Sequence, residues 1–360
     1  MKGSPTRRFP GAMRQVLRSS GVRAAGALAV LALGLFGCAT PPPAPDAPAP
    51  VAIAPPDAGP VLNRDDDFVV VAVRTGDTYA TLAERYLGDA SLAWRISQFN
   101  GVAAPRPGQT VVVPLVERNP IGVYASGYQT VPILCYHRFG TRQTKLNVTA
   151  AAFDAQMEYL AKNGYTVITM KRLARFLEGR EALPAKSVAI TIDDGYRSTY
   201  EIAFPILRKH GFAATVFLYT DFVGASDAMT WQQMKDMTAS GLVEIQPHSK
   251  SHSNLTLKLP GETEARYRER IRREVDTPVS VLRDRLTDGS FTYAYPYGDV
   301  NEFVVELLTA QRVRLGVTVT PGGNGFYAYP YMLRRSMVFG NEDLDAFRAK
   351  LVTFVRTAAR

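Results

Sequence analysis

The sequence predicts an α/β protein in which a small βααβ module precedes a distorted (β/α) barrel. Three observations support this prediction. Beyond residue 130, short apolar runs alternate with longer amphipathic segments, the pattern of parallel strands joined by helices. Residues 68–115 form a separate series of strand, helix, helix and strand. The length of 360 residues suits two folded units of ~100–200 residues each.

The first 37 residues have the parts of an export signal. Arg14, Arg18 and Arg23 precede an apolar run over Ala24–Phe36. This run is shorter than the ~20 apolar residues that a transmembrane helix needs. We therefore predict a signal peptide over residues 1–37.

The predicted signal ends at Leu35-Phe36-Gly37-Cys38, which resembles the lipobox of bacterial lipoproteins. The resemblance implies that Cys38 is lipidated and anchors the protein to a membrane. Because Ala39 and not Asp follows this cysteine, it also implies the periplasmic face of the outer membrane in the bacterial cell envelope. The alternative is an ordinary thiol. Residues 38–66 are rich in Pro and Ala, which predicts an extended linker.

The formal charge of +9 is compatible with nucleic-acid binding, but its distribution argues against that function. Six basic residues and no acidic ones lie in the predicted signal peptide, so 36 basic residues face 33 acidic ones in the remainder. A balance so close to neutral predicts no nucleic-acid partner. We infer no obligate protein partner. Apart from Cys38 the only cysteine is Cys135, so the mature chain can form no intrachain disulfide.

Residues 67–116 predict the compact βααβ module. A strand over 68–73 is followed by a turn at Thr75–Thr78, two helices over 79–86 and 91–100, and a strand over 110–113. The Gly-Asp-Thr turn, Asn100 and Pro107-Gly108-Gln109 make the module similar to the LysM domain. This resemblance implies binding of N-acetylglucosamine-containing glycans, with Gly76, Asp77, Thr78 and Asn100 as the binding residues. The alternative is a small βααβ domain without a ligand.

The larger unit alternates strands and helices. The predicted strands are 131–137, 167–168, 188–192, 214–219, 243–246, 291–295, 315–320 and 333–338. The predicted helices are 150–163, 171–178, 200–210, 230–240, 262–286, 301–311 and 343–356, with a possible break in the longest at Pro278. In a barrel of this kind the functional residues lie at the carboxyl ends of the strands.

Polar motifs follow three of these strands, at Asp193-Asp194-Gly195, His248-x-x-x-His252 and Pro296-Tyr297-Gly298. Taken alone, Asp-Asp-Gly is common in turns. Two imidazoles four residues apart, however, can reach one cation, and one carboxylate completes a His₂-carboxylate set with positions left for water and substrate. The second carboxylate can then take a proton from a water molecule that the cation acidifies. The motifs therefore predict a metal-dependent hydrolase.

The same motifs make residues 131–338 similar to the polysaccharide deacetylases, the NodB-homology domain of carbohydrate esterase family 4, and we place this domain at 128–360. The resemblance implies that Asp193 is the general base. It implies that Asp194, His248 and His252 hold a divalent metal, Zn²⁺ in most of the family. It also implies that the backbone N–H of Tyr297 contributes to an oxyanion hole.

The sequence departs from that family at two roles. Ala294 occupies the place of the arginine that orients the base, so Arg197 and the Leu333-Arg334-Arg335 segment, in particular Arg334, are the candidates for this role. No histidine follows His252 to act as the late general acid, and His137 at the end of a strand is the candidate instead. The alternative for His137 is a packed histidine without a catalytic role.

Tyr136-His137 and Tyr295-Pro296-Tyr297-Gly298 resemble the branch of the family that deacetylates poly-β-1,6-N-acetylglucosamine. The predicted function is therefore removal of N-acetyl groups from an N-acetylglucosamine polymer, either that polysaccharide or peptidoglycan, in the cell envelope. Two alternatives stay open. One is O-acetyl ester hydrolysis at the same site, and the other is a catalytically impaired glycan-binding lipoprotein.

Overall fold

The structure, a computed structural model, describes residues 60–117, 119–286 and 289–357. The predicted signal peptide, Cys38 and most of the predicted linker lie outside these ranges. Within them, none of the helices has both the length and the apolar character needed to cross a lipid bilayer.

The N-terminal module has the predicted order of elements with one strand added. Its elements are β1 (Val61–Arg64), β2 (Phe68–Ala72), α1 (Tyr79–Leu87), a 3-10 turn (Ala90–Leu92), α2 (Ala93–Asn100) and β3 (Thr110–Pro114). The strands form an antiparallel sheet in the order β1-β2-β3. Alternate valines of β2 and β3 pack against Leu82 and Ile96, which are 1% and 0% exposed. The βααβ prediction is confirmed for the fold of this module, and its identity as a LysM domain stays a prediction.

The larger unit contains fourteen further strands and seven further helices within the described ranges. The strands are β4 (Val123–Tyr124), β5 (Gly127–Gln129), β6 (Val131–Tyr136), β7 (Arg138–Gly140), β8 (Asn147–Thr149), β9 (Thr166–Val167), β10 (Ser187–Ile192), β11 (Ala214–Leu218), β12 (Val243–Pro247), β13 (Thr292–Ala294), β14 (Leu315–Val317), β15 (Gly323–Asn324), β16 (Ser336–Met337) and β17 (Phe354–Arg356). The helices are α3 (Ala150–Lys162), α4 (Met170–Leu177), α5 (Phe204–His210), α6 (Trp231–Ala239), α7 (Glu264–Arg285), α8 (Glu302–Ala310) and α9 (Leu344–Ala349).

A parallel sheet in the order β12-β11-β10-β6-β16 forms the centre of this unit. Every residue of β6 and β10 is buried, because alternate side chains of each strand pack into two apolar clusters, one on each face of the sheet. The α/β prediction is therefore confirmed. Parallel strands bring their carboxyl ends to one edge, which is where the predicted motifs follow β10, β12 and β13.

The strands do not close into a continuous ladder within the described residues, so the barrel prediction is met only in part. Two junctions interrupt it. Between β12 and β13 the Gln246 side chain replaces the ladder, since its Oε1 accepts from the N–H groups of Phe291 and Thr292 at 2.7 and 2.9 Å. Between β14 and β16 a single bridge pairs Val317 with Leu333. A side-chain amide thus satisfies backbone groups that a neighbouring strand would otherwise bind.

Helix α7 is continuous through Pro278, contrary to the expected break. A proline inside a helix leaves the carbonyl four residues earlier without its donor. Here that carbonyl belongs to Glu274, and the Tyr293 hydroxyl donates to it at 3.2 Å. The tertiary contact therefore replaces the missing helical hydrogen bond.

The C-terminal segment differs from its prediction as a single helix over 343–356. Helix α9 ends at Ala349, and residues 354–356 form β17, which pairs antiparallel with β5. The N–H of Thr130 donates to the carbonyl of Thr353 at 2.9 Å and extends this pairing. Residues with high strand propensity at 352–355 favour the sheet once an edge strand is available.

Candidate active site

The motifs predicted from the sequence meet at the carboxyl edge of the sheet, in unusual backbone conformations. Among the described non-glycine residues, positive φ angles occur at Asp194 (75°), Ser249 (74°), His252 (61°) and Tyr297 (64°), and once elsewhere, at Arg312. Such conformations are unfavourable for residues with a side chain and concentrate at functional sites, where the surrounding structure enforces them. The backbone thus turns sharply at the predicted metal and oxyanion residues.

Asp194, His248 and His252 form one compact group of potential metal ligands. Asp194 Oδ1 lies 3.6 Å from His248 Nε2 and 3.4 Å from His252 Nε2. His248 Nδ1 donates to the carbonyl oxygen of Ala294 at 2.9 Å, which leaves the Nε2 lone pair directed at the group. Asp194 Oδ1 is buried and has no hydrogen-bond partner among the described residues. An unpartnered buried carboxylate oxygen between two imidazole nitrogens fits a divalent cation.

Burial and charge keep these ligands in the protonation states that a metal requires. Burial lowers the pKa of His248, although both aspartates act to raise it. Burial alone would raise the pKa of Asp194, but the close approach of His252 Nε2 and the nearby charge of His248 hold it below its ordinary value. At neutral pH the site therefore offers a neutral imidazole at His248 and an ionised carboxylate at Asp194.

Asp193 is held separately from this ligand group by a buried arginine. The two terminal nitrogens of the Arg335 guanidinium group, Nη1 and Nη2, donate to Oδ1 and Oδ2 of Asp193 at 2.6 and 2.8 Å. Both side chains are buried, with 0% and 2% exposed. Burial would raise the pKa of Asp193, but the charges of Arg335 and His248 and the hydrogen bonds from Arg335 together outweigh it and hold this pKa well below its ordinary value. Asp193 is therefore an ionised carboxylate in a fixed orientation, as a general base requires.

The arginine that contacts Asp193 is Arg335, and not Arg197 or Arg334, the two candidates that we predicted. Arg197 donates to the carbonyl oxygen of Ser226, and Arg334 donates to the carbonyl oxygen of Pro321 at 3.4 Å. The predicted segment 333–335 was right, but Arg334 and Arg335 point to opposite sides because successive residues of an extended segment do so.

His137 lies beside Asp193, in agreement with its predicted position. It follows β6, and its ring belongs with Cys135 and Asp193 to a second group whose potential ligand atoms are within 4.8 Å of one another. That group fits a metal less well. Asp193 is already bound by Arg335, and the Cys135 thiol, whose pKa burial raises well above its ordinary value, donates to Asp193 Oδ2 at 3.5 Å. His137 is thus close to the Asp193 carboxylate and outside the Asp194, His248 and His252 group.

Aromatic side chains border the ligand group on its open side. The ring of Tyr297 lies 5.0 Å from that of His252, and the ring of Tyr219 lies 5.2 Å from it, both between centroids. Tyr297 is 61% exposed, which suits contact with a ligand that approaches from solvent. Gly195 is required behind the site, since a Cβ there would lie 2.9 Å from Leu218 Cβ.

The predicted glycan-binding residues of the N-terminal module are bound within the module itself. Asp77 accepts from the N–H of Arg74 at 2.9 Å and from the Arg85 side chain at 3.3 Å. Thr78 caps α1, and Gly76 has a φ of 92° in the preceding turn. The Asn100 amide donates to the carbonyls of Ile96 and Val112 and accepts from the Val112 N–H. Both polar side-chain atoms of Asn100 therefore bond within the module, where they join α2 to β3.

A general base held by arginine, beside a His₂-carboxylate set at a strand edge, defines a metal-dependent hydrolase. Residues 180–316 match the family model of polysaccharide deacetylases. Two curated relatives extend this match. Bacillus subtilis YxkH is 29% identical over 219 residues, which are 61% of this chain and 75% of that protein. The poly-β-1,6-N-acetyl-D-glucosamine N-deacetylase of Escherichia coli K12 is 26% identical over 248 residues, which are 59% of this chain and only 36% of that protein.

Solved structures agree with this assignment. The Streptococcus pyogenes deacetylase PplD, solved in complex with acetate, is 25% identical with a TM-score of 0.56, and the match covers 62% of this chain and 98% of that one. IcaB from Ammonifex degensii is 27% identical with a TM-score of 0.54, over 62% and 95% of the two chains. The fold and the site together are those of a carbohydrate N-deacetylase, and the completed base–arginine pair disfavours a catalytically impaired domain.

Proposed function

We propose that this protein is a zinc-dependent enzyme that removes N-acetyl groups from an N-acetylglucosamine polymer of the cell envelope, either poly-N-acetylglucosamine or peptidoglycan. The observation that carries this proposal is the pairing of Asp193 with Arg335 beside the unpartnered Oδ1 of Asp194. The names of the relatives from Escherichia coli and Staphylococcus aureus, poly-β-1,6-N-acetyl-D-glucosamine N-deacetylases, support the substrate class.

Each side chain of the site has a separate role in the proposed hydrolysis of the acetamide. A divalent cation held by Asp194, His248 and His252 would supply Lewis-acid catalysis. Asp193 accepts a proton from the attacking water while Arg335 keeps its carboxylate in place. A C–O bond forms as the amide C–N bond breaks. His137 gives a proton to the departing nitrogen, so that acetate and a free amine leave the site.

The backbone N–H of Tyr297 is the proposed donor to the carbonyl oxygen as negative charge develops on it. Its φ of 64° sets the peptide at an angle that regular strand geometry does not reach. The exposed Tyr297 ring next to His252 offers a surface for the sugar.

We further propose that the rest of the chain keeps the enzyme near its polymer. A signal peptide over 1–37, lipidation of Cys38 and a linker over 38–66 would anchor it at the periplasmic face of the outer membrane. The module at 67–116 would bind glycan as a LysM domain, and the domain at 128–360 would carry out the hydrolysis. A groove of about 330 Å³ along Thr78, Trp94 and Ala104 supports glycan binding by the module.

Acetate release measured in parallel on poly-β-1,6-N-acetylglucosamine and on purified peptidoglycan tests this proposal. We expect release from one of the two polymers, loss of that release with a chelator and its return with zinc. An O-acetylated polysaccharide without N-acetyl groups serves as the control for ester hydrolysis. Failure to release acetate from either N-acetylglucosamine polymer, with zinc supplied, would contradict the proposed function.

A further inference from the structure

Glu274 lies in α7, outside the motifs of the site, and it is a buried acidic side chain without a described ion-pair partner. It is 5% exposed, and its neighbours on the same face of the helix are buried apolar or aromatic residues, among them Tyr267, Ile271 and Pro278. A carboxylate in such a position is costly unless hydrogen bonds satisfy it. The identity of its donors therefore indicates what it does.

All the described donors to the Glu274 carboxylate come from the loop between the two histidines of the metal group. Its Oε2 accepts from the N–H groups of Lys250 and Ser251 at 3.1 and 2.9 Å, and its Oε1 accepts from the Ser251 hydroxyl at 2.7 Å. Hydrogen bonds to an ionised acceptor are the strong kind. One side chain of α7 thus fixes the centre of the loop.

The loop requires such support because its backbone is strained at both sides of this contact. Ser249 and His252 have φ angles of 74° and 61°, which residues with a side chain rarely adopt. Inside the loop, the Ser249 hydroxyl accepts from the N–H of His252 at 2.8 Å. That local bond and the three bonds to Glu274 together set the direction in which His252 leaves the loop.

Strand β13 fixes Glu274 and His248 at the same time. The hydroxyl of Tyr293, which is fully buried, donates to the Glu274 carbonyl that Pro278 leaves without a helical donor. The next residue, Ala294, accepts from His248 Nδ1 through its carbonyl oxygen. The first histidine is therefore oriented by β13 directly, and the second through Glu274, whose own position depends on the same strand.

We infer that Glu274 is a positioning residue for the metal site, which it controls through the loop 249–252 without touching a ligand. The inference rests on the proposed metal-binding function of Asp194, His248 and His252. It predicts that the affinity for zinc depends on the carboxylate of Glu274 and on its bond to Ser251. Residues that orient a metal ligand from behind typically change metal affinity about tenfold to a hundredfold when altered.

The test compares zinc dissociation constants, measured by competition with a chromophoric chelator, for the full chain and four variants. Glu274→Gln keeps the shape of the side chain but replaces one acceptor oxygen by a donor that faces the loop. Glu269→Gln is its control, because Glu269 is on the same helix but is exposed and pairs with Arg272. Ser251→Ala removes the hydroxyl that donates to Glu274, and Ser253→Ala removes only the neighbouring hydroxyl at 2.8 Å from it.

We expect Glu274→Gln to weaken zinc binding about tenfold to a hundredfold and Ser251→Ala to weaken it less. Glu269→Gln and Ser253→Ala should leave the dissociation constant unchanged. Urea unfolding of the metal-free proteins separates this role from a purely structural one, which would lower the unfolding midpoint and leave zinc affinity unchanged. If Glu274→Gln does not fold, the Ser251→Ala and Ser253→Ala pair decides.

Wild-type zinc affinity in folded Glu274→Gln, or in Ser251→Ala where the first variant fails to fold, would overturn the inference while leaving the proposed function in place. Absence of zinc binding by the unaltered protein would contradict the proposed function itself, and this inference with it. Zinc binding by the unaltered protein therefore distinguishes failure of the inference from failure of the proposed function.

Discussion

The deacetylase site and the N-terminal module both contain residues that the sequence predicts to be functional, but their polar atoms are used differently. In the site, Asp194 Oδ1 is buried without a described hydrogen-bond partner, and His248 Nε2 faces it. In the module, the Asn100 amide is saturated by contacts to Ile96 and Val112, and both Asp77 oxygens are bonded. For the residues of these two motifs, an unpartnered buried carboxylate oxygen between imidazole nitrogens indicates a ligand, whereas side chains that bond within the module indicate a scaffold.

This difference indicates a structural role for the module's motif. Gly76, Asp77 and Thr78 shape the turn and cap α1, so a glycan bound there would depend on the groove that they build. The motif of the deacetylase site, in contrast, supplies the reacting groups themselves. Substitutions in the deacetylase site should therefore lower acetate release, whereas substitutions in the module's motif should lower the stability of the module.

The largest effect is expected from Arg335→Met. The substitution leaves the Asp193 carboxylate buried without its partner, and breaking a buried ion pair in this way costs about 3–5 kcal/mol of unfolding free energy. Acetate release should fall by about 10²–10⁴-fold, because the general base loses its orientation. Urea unfolding and acetate release from the same preparation measure both effects.

Arg334→Ala is the matched control, since Arg334 lies next in sequence and its side chain binds only a nearby carbonyl. Its stability and turnover should stay near those of the unaltered protein. Equal effects of the two substitutions would contradict the assignment of Arg335 as the base-orienting residue.

Asn100→Ala should have a moderate effect that is limited to the module. It leaves the Val112 N–H and two carbonyl oxygens without their partners, and one such buried group costs about 1–3 kcal/mol. Hydrogen exchange should report faster opening of residues 60–116, while acetate release from a short soluble oligomer is unchanged. Normal exchange in the module together with lost glycan binding would show instead that Asn100 contacts the ligand.

The smallest expected effect is a pH dependence of the free energy of unfolding. It should be confined to the deacetylase domain of the metal-free protein. Burial lowers the pKa of His248 in the folded state, so below about pH 6.5 the unfolded chain binds more protons than the folded one. Stability should therefore decrease as the pH falls, by at most about 1.4 kcal/mol per pH unit for this group. The module contains no histidine, and its hydrogen exchange, corrected for intrinsic rates, should show no such slope. His248→Asn should reduce the slope in the deacetylase domain.

The sequence predicts those parts of the molecule that depend on short spacings. Asp193, Asp194, His248 and His252 lie directly after strands, and local periodicity is sufficient to place them at one edge of a sheet. Arg335 is 142 positions from the carboxylate it binds, and only the folded chain shows that it, rather than Arg334, faces inward. The burial of Glu274 could have been predicted from the sequence, because it is an acidic residue on the apolar face of a helix that is otherwise rich in charge.

The remaining differences come from side chains that replace backbone contacts. Gln246 substitutes for ladder hydrogen bonds at the β12–β13 junction, so the ladder of the predicted distorted barrel is interrupted there. The Tyr293 hydroxyl compensates for the donor missing at Pro278, so α7 continues where a break was expected. Local propensity cannot predict either feature, because in both cases the compensating group is distant in sequence.

We propose that Asp193 acts as the base and that Asp194, His248 and His252 hold the metal. Zinc content and acetate release, measured together on folded Asp193→Asn and His252→Ala, separate these two roles. We expect Asp193→Asn to retain about one zinc per chain and to release acetate about 10²–10⁴-fold more slowly. We expect His252→Ala to lose both its zinc and its acetate release. Equal loss of zinc in the two variants, or turnover retained by Asp193→Asn, would contradict this proposal.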